Sequence, residues 1–162
     1  MPLAEPIHEH TNYEIERNKP MPSLNHAILQ GNLLFQLNLK YQKTYSILPE
    51  LSISLPAKPV AVPDISIYPK LTADFLHDIG TMAEKPLSVI EIISPSQSTD
   101  EVLSRFEHYF NAGIQSCWLV MPSLKAIAVY TKVDHYQFFS SEMILHDKVL
   151  DIELHLQTIF VI

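Results

Sequence analysis

The first strongly periodic stretch along the chain opens at Pro22-Ser23. Ser23 suits an N-cap, because its hydroxyl oxygen can accept a backbone N–H of a first helical turn. Beyond it, Leu24, Ala27, Ile28, Gly31, Leu34, Phe35 and Asn38 fall on one helical face, and Leu29, Leu33 and Leu37 widen the apolar stripe. The spacing predicts a helix buried over much of its surface. After Lys43 the period shortens to two. Tyr45 and Ile47, then Leu51, Ile53 and Leu55, alternate with polar residues around a break at Pro49-Glu50. Val60, Val62, Ile65 and Ile67 predict a further strand. Pro63 has no N–H to give a ladder, so Asp64 is expected at a bulge or a strand start.

Leu71, Phe75, Leu76 and Ile79 are helically spaced, with Thr72 as a cap and Gly80 as a stop, and predict a connecting helix within 70–85. Leu87 to Ile93 is the most apolar run and is expected at the sheet centre. Ser94-Pro95-Ser96 ends it. Ser98-Thr99-Asp100-Glu101 has the form of a capping box before a helix whose buried face is Val102, Leu103, Phe106, Tyr109 and Phe110. Gly113 suits the left-handed position after that helix. Short strands are expected over 117–120, 126–130, 136–139 and 143–145, with a strand or final turn docking the C-terminus. The fold class that follows is α/β (α+β), a mixed sheet flanked by helices.

Composition narrows this picture. The 162 residues are one domain's worth, read as an N-terminal arm over 1–20 and a single domain over 21–162. The net charge of -7 excludes a protein that grips nucleic acid mainly through a broad basic face. Three glycines leave no Gly-rich phosphate loop. A single cysteine, Cys117, allows no disulfide framework and fits a small buried apolar residue. The apolar runs are too short to span a membrane and the N-terminus lacks a signal-peptide pattern, so a cytoplasmic protein is expected. His8 and His10 in the arm read as incidental.

Two acids stand out. Asp64 and Glu91 each sit inside a β-branched run that should be buried, and a charge there costs several kcal/mol unless it is paired or coordinated. Divalent cations such as Mg²⁺ take hard oxygen ligands and keep several waters, so two carboxylates with a backbone carbonyl suffice. Such a cation can activate water against a phosphodiester. Lone acids near strand ends are common, so spacing alone leaves a structural role open. His26, in the first helical turn, reads as a structural histidine on the same terms.

The residues Val62-Pro63-Asp64-Ile65, Glu91-Ile92-Ile93-Ser94-Pro95-Ser96, Tyr109 to Ile114 and Cys117 to Pro122, in that order, resemble the Uma-type restriction endonuclease family of the PD-(D/E)XK nuclease superfamily. The resemblance covers about residues 21 to 140 and implies a restriction-endonuclease-like core. It also implies Asp64 and Glu91 as catalytic metal ligands, Glu50 and His26 as accessory residues, Mg²⁺ or Mn²⁺ as cofactor and DNA as substrate; a homodimer is expected. The superfamily's lysine, two residues after the Glu, is Ile93 here. The family's alternative, a lysine on the following helix, falls at Arg105. Arginine stays charged and cannot act as a base, but it can hold a phosphate. Lys70 and Lys85 read as solvated loop residues. Two readings follow: a metal-dependent endonuclease that hydrolyses DNA, or a catalytically degenerate nuclease fold acting as a binding or regulatory module.

Overall fold

The structure, a computed structural model, describes residues 12–57 and 60–161. Two helices of useful length sandwich a six-stranded sheet. In chain order the elements are α1 (Asn12–Arg17), α2 (Leu24–Tyr41), β1 (Tyr45–Pro49), β2 (Ser52–Ile53), β3 (Ile65–Pro69), β4 (Thr81–Met82), β5 (Ser88–Ile92) and α3 (Thr99–Asn111). Then come β6 (Ser116–Met121), β7 (Ala126–Lys132), β8 (His135–Ser140), β9 (Ile144–Asp147) and β10 (Ile152–His155), with a 3₁₀ turn after β6 and another after β10.

The main sheet runs β1-β3-β5-β6-β7-β8. Within this sheet only β5 and β6 pair in parallel, and α3 makes the crossover between them. The other pairs are antiparallel. The continuous apolar run around β5 is explained by its place: it is covered on both faces, and all its residues are buried. Period-two alternation sends Ile90 and Ile92 to the α2 side, where they meet Leu29, Leu33, Leu37 and Trp118. Val89 goes to the α3 side with Val102, Phe106 and Tyr109. The β9–β10 hairpin closes the α2 side through Leu145, Ile152 and Leu154. Cys117 is a buried member of the α3-side core, as its apolar surroundings suggest.

Both predicted caps form. Ser23 Oγ accepts the His26 N–H at 3.3 Å, and Ser98 Oγ accepts the Glu101 N–H at 3.2 Å. Gly113 takes φ 96°, the left-handed region that glycine enters without penalty. Several expectations differ from the structure: residues 12–17 of the expected arm form α1, and the strand expected from Val60 begins only at Ile65. Residues 70–80 form no helix. Asp74 instead accepts the Leu76 N–H and pairs with His77, a local pattern that competes with helix formation, and no core surface lies against Phe75 or Leu76. In α2, the buried line is His26, Leu29, Leu33 and Leu37; Leu24, Ile28, Phe35 and Leu39 remain exposed.

Candidate active site

Pro63 marks the point where the chain enters β3, and Asp64 stands immediately before the first ladder residue. The antiparallel register pairs Ile65 with Ile90. Continued by one residue, it sets Asp64 opposite Glu91, with both side chains on the α3 side of the sheet. The two acids are 27 positions apart in sequence and adjacent in space. Both are buried: Asp64 is 0% exposed and Glu91 1%.

Each carboxylate has one oxygen fixed by a neutral donor. The Ile92 N–H donates to Asp64 Oδ2 at 2.7 Å, and the Tyr109 hydroxyl donates to Glu91 Oε1 at 2.7 Å. The other two oxygens turn to a shared cation. Lys19 Nζ donates to Asp64 Oδ1 at 3.1 Å and to Glu91 Oε2 at closer range. Arg17 adds a second cation, with Nη2 2.7 Å from Asp64 Oδ1 and 3.1 Å from Glu50 Oε1. Both cations are themselves buried. Burial opposes the ionisation of Asp64, but the Lys19 charge, the His26 ring and the Ile92 N–H outweigh it and hold the carboxyl below the usual range. Burial and the Glu91 charge push the Tyr109 hydroxyl well above its ordinary value, so it stays protonated and donates.

The remaining residues marked in the sequence fall around this pair at graded distances. His26, on the first turn of α2, brings Nε2 to 3.0 Å from Asp64 Oδ1, close but not aligned for a hydrogen bond. Gln30, one turn on, donates to the Asp64 carbonyl at 2.9 Å. Glu50 lies at a left-handed residue with φ 47° and gives its N–H to the Asp64 carbonyl at 3.2 Å. Arg105 faces Glu91 from α3 with Nε 3.9 Å from Oε1, beyond hydrogen-bond length. Lys70 and Lys85 bond exposed backbone carbonyls, of Gln42 and Ala83, and lie outside the site. His8 and His10 lie outside the described residues.

Lys19 and Arg17 are the residues that sequence reasoning missed. They fall in a stretch without period, read as an arm, and nothing local marks them. The available signal was electrostatic: two acids in apolar strands require cations, and the strands themselves supply none. Among the described residues, no three His, Cys, Asp or Glu side chains converge on one ion position. Lys19 Nζ, itself a cation, bridges Asp64 Oδ1 and Glu91 Oε2, the position at which the two carboxylates would hold a hard divalent cation. A Mg²⁺ ion held there would complete its shell with water and backbone oxygen.

A mixed sheet whose central strands deliver an acid pair to one face, between two helices, is a nuclease-like α/β fold. A solved structure described as a putative nuclease belonging to DUF820, from Anabaena variabilis, superposes with a TM-score of 0.74 at 23% identity, covering 87% of this chain and 83% of that one. The chain belongs to the Uma2 family, described as "putative restriction endonuclease", which it matches over residues 1–158. No curated protein matches it. No helix among the described residues is long and apolar enough to cross a membrane.

Proposed function

We propose that the protein is a cytoplasmic, Mg²⁺- or Mn²⁺-dependent endonuclease that hydrolyses DNA phosphodiester bonds, working as a homodimer. The observation that carries this reading is the division of labour among four carboxylate oxygens: two held by Ile92 and Tyr109, two aimed at one cation position. A buried structural ion pair would also need its remaining oxygens hydrogen-bonded, so what favours the metal reading is the convergence of Asp64 Oδ1 and Glu91 Oε2 on one cation position. Asp64 and Glu91 would hold the metal, with Glu50 and His26 in support. A bound divalent cation supplies an activated water and offsets charge on the phosphate. Lys19, Arg17 and Arg105 would hold the phosphate oxygens by charge, and Lys19 would stand in for the lysine absent from position 93.

Arg17 and Lys19 lie against the buried acids, so a substrate phosphate would reach them only if these side chains move. Between these two cations Asn18 takes the left-handed region at φ 53°, and Pro20 follows Lys19. A cleft of about 640 Å³ lies beside it, bounded by Lys19, Asn18, Gln97 and Glu101. The buried cations also favour a second reading, a degenerate nuclease fold in which Lys19 permanently replaces the metal. Cleavage of plasmid and single-stranded DNA with Mg²⁺ or Mn²⁺ separates the two. The endonuclease reading expects metal-dependent nicking that Asp64→Ala abolishes. Nicking that survives Asp64→Ala would remove the metal-site assignment. An inactive wild type that gains activity on Arg105→Lys would establish the degenerate reading.

A further inference from the structure

The outer face of α2 is built unlike a solvent-facing helix. Leu24, Ile28, Phe35 and Leu39 are 75%, 40%, 62% and 67% exposed, and Gly31 continues their line. The steps between them are those of a helix–helix seam rather than of scattered surface residues. From Leu24 to Leu39 the sequence contains no Asp, Glu, Lys or Arg, and Lys40 is the first charge. A helix that borders water normally carries charged residues on that side.

We propose that this face binds a second copy of the chain, α2 against α2 in antiparallel fashion, across a two-fold axis between Gly31 and Asn32. Three observations choose this occupant. The stripe is palindromic about that point: Leu24 lies as far before it as Leu39 lies after, and Ile28 matches Phe35 in the same way. Self-complementarity of this kind is what an isologous interface requires. Gly31 leaves bare backbone near the axis, where an added Cβ meets nothing within 4 Å, so two helices can approach closely. The face lacks charge, which disfavours nucleic acid. It also disfavours the chain's own first eleven residues, whose Glu5 and Glu9 would find no cation there. At about 200 Å² for a fully exposed large side chain, the four side chains offer roughly 490 Å² per protomer. With the Ala27 and Gly31 surfaces between them, two protomers reach the ~1,000 Å² of a specific interface.

This surface refines the homodimer of the proposed function, but its readout is mass, so its failure leaves the nuclease reading standing and loss of nicking leaves the dimer standing. Sedimentation equilibrium on the full chain is expected to give twice the 18.5 kDa mass. Phe35→Glu and Ile28→Lys should each raise the dimer dissociation constant by about 100-fold, with an unchanged far-UV spectrum because both side chains point outward. Gly31→Leu should do the same by blocking close approach. The double variant Ile28→Lys/Phe35→Glu should recover the dimer, since the axis sets the introduced lysine of one copy against the introduced glutamate of the other. A monomeric wild type overturns the proposal. So does a dimer that ignores Phe35→Glu but dissolves on Phe138→Glu, at the exposed edge strand β8, or on deletion of residues 1–11.

Discussion

Two buried acid centres lie on opposite sides of the same sheet, and they are held by different chemistry. Asp147, at the end of β9, is 0% exposed. Its Oδ2 accepts from Ser116 Oγ at 2.6 Å and Trp118 Nε1 at 2.8 Å, and its Oδ1 from the N–H groups of Val149 and Leu150 at 3.0 and 3.3 Å. Every donor is neutral, and both oxygens are satisfied within the fold. Asp64 and Glu91 take one neutral bond each and leave one oxygen each to Lys19, with Arg17 also on Asp64. Burial of an acid is therefore not itself a sign of function. A closed set of neutral donors fixes a loop, here the β9–β10 turn against β6. A pair of acids that share a cation, on adjacent strands, is the arrangement on which the proposed metal site rests.

The largest expected effect separates the two centres by activity. Asp64→Ala should lower metal-dependent nicking by more than the roughly 100-fold that losing a residue merely supporting a metal ligand costs. Asp147→Asn should leave the rate unchanged below its melting temperature. Equal losses in both variants would break the comparison.

A second test acts on stability. Lys19→Met leaves two carboxylates facing each other without their shared cation. It should destabilise the protein by about 3–5 kcal/mol, as other broken buried pairs do. Mg²⁺ or Mn²⁺ should then raise the melting temperature of Lys19→Met more than that of the wild type, because the metal no longer competes with the ammonium. Equal shifts would mean that Lys19 and the metal do not share a position. At the neutral centre, Asp147→Asn turns an amide N–H₂ or a single acceptor toward four donors. A loss of about 1–3 kcal/mol is expected there, with no response to divalent cations.

The contrast also marks what the chain discloses by itself. The strands and the acid pair were legible because buried carboxylates in β-branched runs violate the ordinary pattern, and because Pro63 and Ser94-Pro95-Ser96 punctuate the strands that carry them. α3 was legible from its cap and its apolar period. The cations were not. Arg17 and Lys19 lie in a polar stretch without period, and only the tertiary fold brings them across to β3 and β5. Asp147 was invisible in part for the same reason: two of its four donors, Ser116 and Trp118, come from β6, on another element. The predicted helix within 70–85 shows the opposite failure. Helical spacing was present, but Phe75, at 98% exposure, has nothing to pack against. The outer face of α2 was read as buried, and its exposure in the single chain is what directs attention to a second copy.

The smallest effect tests a polar group on the same sheet face as the acids but away from their cations. Tyr68, on β3, is buried, and its hydroxyl donates to the Glu84 carbonyl at 3.0 Å. Burial first, and then the Glu84 charge, push it up from 10.0 to about 12. A folded-state pKa raised in this way contributes stability that is fully present below the unfolded value. That stability is lost as pH rises from 10.0 toward about 12. Wild-type stability should therefore fall across this alkaline window. Tyr68→Phe should show a shallower fall there and a modest loss near neutrality, from one missing hydrogen bond worth about 1 kcal/mol. Divalent cations should move neither curve, because Tyr68 touches none of the oxygens that Lys19 bridges. An Mg²⁺-dependent change in the Tyr68→Phe profile would mean that the cation's influence extends along β3 beyond Asp64, and the boundary drawn between site and scaffold would have to move with it.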